Sequence, residues 1–261
     1  MITLIGAGNL AWHLAKNFEA KGFTVNAVYS RKIADAKTVT AELYHAEATD
    51  SLDFSESESE LFVLAVSDDA LEKVAEKLHL PLDATLVHVS GSQPVSLLEE
   101  IFDDRPDVFC GVFYPLMTFT KYKPLDFSSV PILLECADES SLKMLREIAR
   151  KLTTEVHIVD SEQRKVLHLA AVFACNFTNH LLAVSQEITE ANDLKFDLLK
   201  PLIYETLEKG LNAAHPADVQ TGPAIRKDAK ILQKHEEMLE DDPELRELYR
   251  MLSTSIQTFF A

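Results

Sequence analysis

The sequence predicts an α/β fold in two parts: a doubly wound, mainly parallel sheet, then an all-helical C-terminal domain. Three observations predict it. Up to residue 159, short apolar runs alternate with amphipathic helical stretches, the pattern of a parallel sheet covered by helices on both faces. Two of those runs, Leu61–Val66 and Thr85–Val89, are apolar at nearly every position, as strands buried on both faces are. After Asp160 the period turns helical and stays so to Ala261. The expected domains are therefore 1–159 and 160–261.

Strands are expected near 2–6, 25–30, 44–48, 61–66, 85–90, 108–113, 130–136 and 155–159. Helices are expected near 9–21, 32–43, 68–78, 94–102 and 139–152. The first strand, Ile2-Thr3-Leu4-Ile5, runs into Gly6-Ala7-Gly8-Asn9-Leu10-Ala11. This is a G-x-G-x-x-A turn opening a helix, whose apolar face is Leu10, Leu14 and Phe18. Gly22 punctuates, and Val25–Tyr29 makes the next strand. Such a βαβ start is the Rossmann dinucleotide fingerprint: Gly6 allows the tight turn, Gly8 lets the backbone approach a pyrophosphate, and Ala11 lets the helix pack on its strand. Gly6, Ala7, Gly8, Asn9 and Leu10 are the expected pyrophosphate contacts, on unpaired N–H groups at a helix N-terminus.

The end of the second strand distinguishes the two nicotinamide dinucleotides. An NAD site usually has Asp or Glu there; this chain has Ser30-Arg31-Lys32. A hydroxyl followed by two cations suits a 2′-phosphate, with Arg31 offering fork-like donors and a face for adenine. NADP is the expected cofactor; the alternative is that Arg31 and Lys32 are solvated residues opening the next helix. The acidic stretch 55–60 is expected to be a short solvated helix or loop. Ligands in this architecture bind at the carboxyl ends of the strands. Val66-Ser67-Asp68-Asp69 and Ser90-Gly91-Ser92 stand there, so Val66, Ser67 and Ser90 are expected beside the nicotinamide ribose. The same hydroxyls and Asp68 could cap helices, with Ser92 preceding Pro94. Phe113-Tyr114-Pro115-Leu116-Met117-Thr118-Phe119 follows a strand as an aromatic loop, expected to pack on the helical domain rather than wall the cofactor.

In the second part helices are expected near 161–191, 197–214, 223–239 and 243–259, the first capped at Asp160-Ser161. At about 100° per residue, Asn179 falls within about 20° of His168, Asn176 near 80° and His180 near 120°. The neighbours are Leu, Ala, Val and Phe. A polar stripe on an apolar helix needs partners, because a buried unpaired amide costs a few kcal/mol. Asn176, Asn179 and His180 are the expected catalytic group and His168 a substrate contact; hydrogen bonds to the sheet or a dimer seam would explain the stripe equally. Gln220-Thr221-Gly222-Pro223 is expected to present Gln220 and Thr221 to substrate at a helix N-terminus, with Thr221 as cap and Pro223 in the first turn.

Composition limits the partners. The 261 residues are 47% apolar, enough for a real core, and the formal charge is -17. Such an acidic chain is not expected to bind nucleic acid or an acidic membrane. Cys110, Cys136 and Cys175 lie in apolar runs without C-x-x-C pairing, so buried free thiols are expected and no metal site. The N-terminus enters a strand directly, so no signal peptide is expected. The apolar helix around 166–185 is interrupted by His168, Asn176, Asn179 and His180 and is expected to be a core helix, not a membrane span. A cytoplasmic protein is the expectation.

Taken together, several motifs resemble a family of Rossmann-like proteins with an uncharacterised helical C-terminal domain. They are Gly6-Ala7-Gly8-Asn9, Ala65-Val66-Ser67-Asp68, His88-Val89-Ser90-Gly91-Ser92, Tyr114–Phe119, His168–Ala171, Asn176–His180 and Gln220–Ala224. The family is related to pyrroline-5-carboxylate reductase, ketopantoate reductase and the β-hydroxyacid dehydrogenases, and the resemblance spans nearly the whole chain. It implies an NADP-dependent oxidoreductase and a homodimer packed through the helical domain. β-Hydroxyacid dehydrogenases carry a catalytic Lys one turn before an Asn on the corresponding helix. Val172 stands four before Asn176 here, so that mechanism does not transfer. The resulting expectation is a reductase of a small C=O or C=N substrate held between the domains; a non-catalytic NADP sensor or scaffold is the alternative.

Overall fold

The computed structural model describes residues 1–260. Eight strands form one sheet: β1 (Ile2–Ile5), β2 (Val25–Tyr29), β3 (Glu47–Thr49), β4 (Leu61–Leu64), β5 (Thr85–His88), β6 (Phe109–Pro115), β7 (Ile132–Cys136) and β8 (Val156–Ile158). Their order is β3-β2-β1-β4-β5-β6-β7-β8. All neighbours are parallel except β6 and β7. That pair is joined by a return loop, which antiparallel strands permit without a crossover helix. The covering helices are α1 (Asn9–Ala20), α2 (Ile33–Thr40), α3 (Asp68–Ala75), α4 (Ser96–Ile101) and α5 (Glu139–Leu152). Residues 55–60 are turns and loop.

Side chains alternate across the sheet, as strand geometry requires. Leu4, Val63 and Val87 join Leu14, Phe18 and Leu145 in one core cluster. Ile5, Leu64 and Leu86 join Leu71 and Leu98 in the other. The sheet is thereby sandwiched, and its carboxyl edge is the free rim where β1, β4, β5 and β6 end in sequence order. The chain leaves β1 and turns back between β2 and β4, so the crossovers reverse at β1, the place where such sheets bind ligands.

The chain divides into two compact units, Met1–Thr178 and Asn179–Ala261. The change of period at 159/160 coincides with the end of the sheet, whereas the compact units divide further along. The physical reason is that the next helix, α6 (Ser161–Ala171), is bonded into the sheet. Its N-cap Asp160 accepts from the Gln163 N–H, and Gln163 returns the bond in a capping box. Residues Val172–Phe177 then wind as a π-helix before α7 (Thr178–Glu190). The second unit also holds α8 (Lys200–Asn212), α9 (Ala229–Met238) and α10 (Pro243–Phe259). His235 Nδ1 lies 2.8 Å from the Tyr249 hydroxyl, and Arg250 pairs with Glu236, which ties α9 to α10.

Three expectations are corrected, two of them in the helical part. The run Ser161–Glu190 is not a core helix: its most apolar window, of mean hydropathy 1.4, has no buried share in this chain. Val166, Leu169, Phe173 and Phe177 are all exposed, Phe173 by 64%. By length and composition that run could cross a membrane. The expected helix start at Pro223 is absent: α9 begins at Ala229, where the Asp228 carboxylate accepts the Ile231 N–H. Of the three thiols, only Cys110 is buried; Cys136 is half-buried and Cys175 exposed, the last because it lies on the open helical face.

Candidate functional site

A groove of about 420 Å³ lies at the carboxyl edge of β1, β2 and β4. It brings together the expected contacts Gly6, Ala7, Gly8, Ser30, Arg31, Val66 and Ser67, and adds Tyr29, Lys32, Asp35 and Ala65. The local sequence explains the shape. Gly6 has φ +124°, and a Cβ there would run into the Ala65 carbonyl oxygen. Only glycine therefore lets the turn seat against β4. Gly8 is different: nothing stands within 4 Å of where its Cβ would project. This open space fits a ligand atom. Gly8 is the N-cap of α1 without a side-chain cap bond, and the first turn carries no acidic residue. The free N–H groups of that turn, together with the helix dipole, suit a phosphate.

Arg31 is exposed at the end of β2. The Ser30 hydroxyl accepts the Lys32 N–H at 3.4 Å, so the turn holds itself and leaves the guanidinium free. Ser67 is the N-cap of α3 with no side-chain cap bond, which leaves its hydroxyl available to the groove. Asn9 and Leu10 lie beside the groove, and Leu10 packs against the core. The Asn9 amide is committed, since Nδ2 donates to the Phe119 carbonyl at 3.1 Å. Ser90 is buried, and its Oγ accepts the N–H groups of Ser92 and Gln93. Ser92 donates to Asp68 rather than capping α4. The Val95 N–H near the start of α4 is satisfied by the Ser161 hydroxyl.

The aromatic loop after β6 packs on α1, within the sheet unit. The expected packing on the helical part holds for Tyr114, which meets His168, while Phe119 and the residues after it lie over the glycine turn. His13 Nε2 sits 3.0 Å from the Thr120 carbonyl, and the Phe119 ring 5.4 Å from the His13 ring. Lys121 Nζ reaches the carbonyl of Ala7 at 3.3 Å. A cation is thereby set at the glycine turn of an acidic protein, and sequence reading missed it because nothing in the local pattern ties 121 to 7.

Further along the rim, His168 Nδ1 lies 3.0 Å from the Tyr114 hydroxyl, with the rings edge to face. Gly91 lies against both: an added Cβ would stand 2.5 Å from His168 Nδ1 and 2.9 Å from the tip of the Tyr114 ring. Burial raises the Tyr114 phenol above its ordinary value, opposed by the nearby Arg164 charge. Beneath the pair, Arg164 is fully buried; it pairs with Glu135 on β7 and donates Nη2 to the Gln93 carbonyl at 2.6 Å. Glu135 also accepts the Ser161 N–H and hydroxyl, each at 2.9 Å. His88, at the end of β5, is fully buried and pushed down to about 4 by desolvation first and by Arg164 second; it is neutral at physiological pH. Arg164 and His168 stand four apart, so one face of α6 meets the sheet. That spacing was the signal for Arg164 in the sequence.

The remaining expected residues lie elsewhere. Asn176, Asn179 and His180 are exposed, not a buried stripe. The π-wound segment breaks the 100° arithmetic that aligned them with His168, since its bonds run i to i+5. Asn176 belongs to the first unit, and Asn179 and His180 to the second. Gln220 and Thr221 are exposed in the second unit, where Gln220 Nε2 donates to the Thr221 carbonyl. They stand in a turn, not at a helix N-terminus.

Residues 1–91 match the family described as NADP oxidoreductase coenzyme F420-dependent. Residues 130–256 match a domain of unknown function, DUF2520. No curated protein matches the chain. Among solved structures, a candidate NADP oxidoreductase from Bacteroides fragilis is 39% identical over 98% of this chain and 97% of its own, with a TM-score of 0.89. An imine reductase from Myxococcus stipitatus in complex with NADP+ is 18% identical over 100% and 92%, with a TM-score of 0.64. A pyrroline-5-carboxylate reductase from Coxiella burnetii is 17% identical over 99% and 96%, with a TM-score of 0.56. The last two share the fold.

Proposed function

Because this chain belongs to the NAD(P)-dependent oxidoreductase family that includes the Bacteroides fragilis protein, we propose that it is a reductase that uses NADPH on a small C=O or C=N substrate. The observation that carries the cofactor reading is the groove joining Gly6–Gly8, Ser30, Arg31 and Ser67. Gly6–Gly8 and the first turn of α1 hold the pyrophosphate, with Lys121 adding positive charge beside them. Arg31 and Ser30 hold the 2′-phosphate through charge-assisted hydrogen bonds. Val66 and Ser67 line the path toward β5, with buried Ser90 fixing the next turn. When bound, NADPH supplies the hydride for the reduction. The imine reductase relative supports C=N among the candidate substrates. Depletion of NADPH absorbance, measured with a panel of small ketones, 2-oxo acids and cyclic imines, tests the reaction. Tight NADPH binding without turnover of any member contradicts it.

The exposed apolar face of Ser161–Phe177 supports a homodimer in the same reading. Patches of this kind mark an interaction surface. A second copy suits it better than a bilayer, because Arg164 and His168 in the first turns are bonded into the sheet unit. Light scattering on eluting protein should give twice the chain mass at micromolar concentration; a monomer, or recovery only in detergent, overturns the dimer.

A further inference from the structure

We infer that Tyr114 and His168 form the proton-delivering pair of the reductase, with Tyr114 donating to the substrate heteroatom and His168 refilling the phenol. This inference rests on the reductase reading above and names the groups that complete it.

Position comes first. Along the carboxyl rim the order is the glycine turn on β1, Ser67 after β4, Ser90-Gly91 after β5, then Tyr114 on β6. His88 pairs in register with Val112, so Tyr114, two residues on, stands level with Ser90. Adjacent strands are about 4.8 Å apart. Ser67, which would hold the nicotinamide side of the cofactor, and Tyr114 therefore stand on one rim, two strands apart. A substrate reduced there would lie between Ser67 and the phenol.

Chemistry comes second. The pair is touching, at 3.0 Å, and Gly91 is the residue whose missing side chain lets both rings approach the rim. Tyr114 keeps its proton at neutrality because burial opposes the phenolate. An imidazole can carry a second proton near neutrality. With His168 protonated, Nδ1–H donates to the phenol oxygen and the phenol O–H is free to point at substrate. During reduction the π bond of C=X breaks as carbon gains the hydride pair. The X atom takes the Tyr114 proton, and the phenol oxygen takes the Nδ1 proton of His168. The net change on the protein is imidazolium to imidazole. His168 is half-buried rather than sealed, so it regains its proton from water. Of the other ionisable groups near the pair, buried His88 is neutral and Arg164 is held by Glu135. Asp68 accepts from Ser92.

The test uses the full chain, NADPH and the panel of small ketones, 2-oxo acids and cyclic imines. Tyr114→Phe should lower kcat at least about 100-fold, the usual scale for losing a positioned acid, with KM and the NADPH Kd unchanged within about threefold. His168→Gln should lower kcat by a similar order, again sparing KM. A second readout needs no turnover: in the cofactor-free protein, the imidazole nitrogen resonances of His168 should move in Tyr114→Phe while those of the other histidines stay. Turnover undiminished in Tyr114→Phe, a loss confined to KM, or a His168 resonance indifferent to Tyr114 overturns the pair and leaves the reductase reading standing. Wild-type protein that binds NADPH and reduces nothing in the panel overturns both.

Discussion

Replacing Arg164 with leucine is expected to destabilise the protein by about 3–5 kcal/mol, the range for breaking one side of a buried ion pair. The guanidinium is fully buried, and its partner Glu135 is mostly so. Taking Arg164 away leaves a carboxylate in a dry site with only the Ser161 N–H and hydroxyl to solvate it. It also frees the Gln93 carbonyl. These bonds join β7, the turn after β5 and α6, so the loss should be felt as release of α6 from the sheet. Urea unfolding followed by tryptophan fluorescence measures it. The double change Arg164→Met with Glu135→Met should recover a large part of the loss, because an apolar pair of similar size carries no desolvation cost. A single variant as stable as wild type would show that the pair contributes nothing.

The second large effect separates the two glycines of the turn. Gly6→Ala should fail to bind NADPH and should also be unstable. Its backbone lies at φ +124°, and the added methyl meets the Ala65 backbone, which cannot move aside without displacing β4. Gly8→Ala should fold normally. Its φ of -76° is ordinary for alanine, and its Cβ meets no protein atom within 4 Å. That methyl would nonetheless occupy space assigned to the pyrophosphate. The expected result is an unchanged melting temperature with NADPH affinity lowered about 100-fold or more, roughly 3 kcal/mol by the affinity scale. Gly8→Ala that binds NADPH like wild type would show that the open space is not the phosphate site.

Much of the first unit was legible because its signals are local. Ile2–Ile5, the glycine turn and Leu14 with Phe18 lie within one βαβ start, and strand burial on both faces marks β4 and β5 without further context. The groove followed from the same residues, since Ser30-Arg31 and Ser67 lie directly at strand ends. What was illegible depends on distance along the chain or on a changed helical period. Lys121 meets Ala7, and Tyr114 meets His168, through loop paths that periodicity does not encode. The π-wound Val172–Phe177 departs from the regular period that aligns Asn179 with His168, and Asn176 and Asn179 are exposed. The apolar run around 166–185 suggests a core helix, but in this chain it is exposed. A long apolar stretch says that it needs covering, not by what.

The central claim is that the groove holds NADP, with Arg31 on the 2′-phosphate. Titration of NADPH and NADH into wild-type protein and Arg31→Ala, read by nucleotide fluorescence, tests it most directly. Wild type should prefer NADPH by about 10- to 100-fold, the scale of one or two charge-assisted bonds. Arg31→Ala should lose most of that preference while its NADH affinity stays within about threefold. Equal affinity of wild type for both nucleotides, or an equal loss for both in Arg31→Ala, would contradict the assignment.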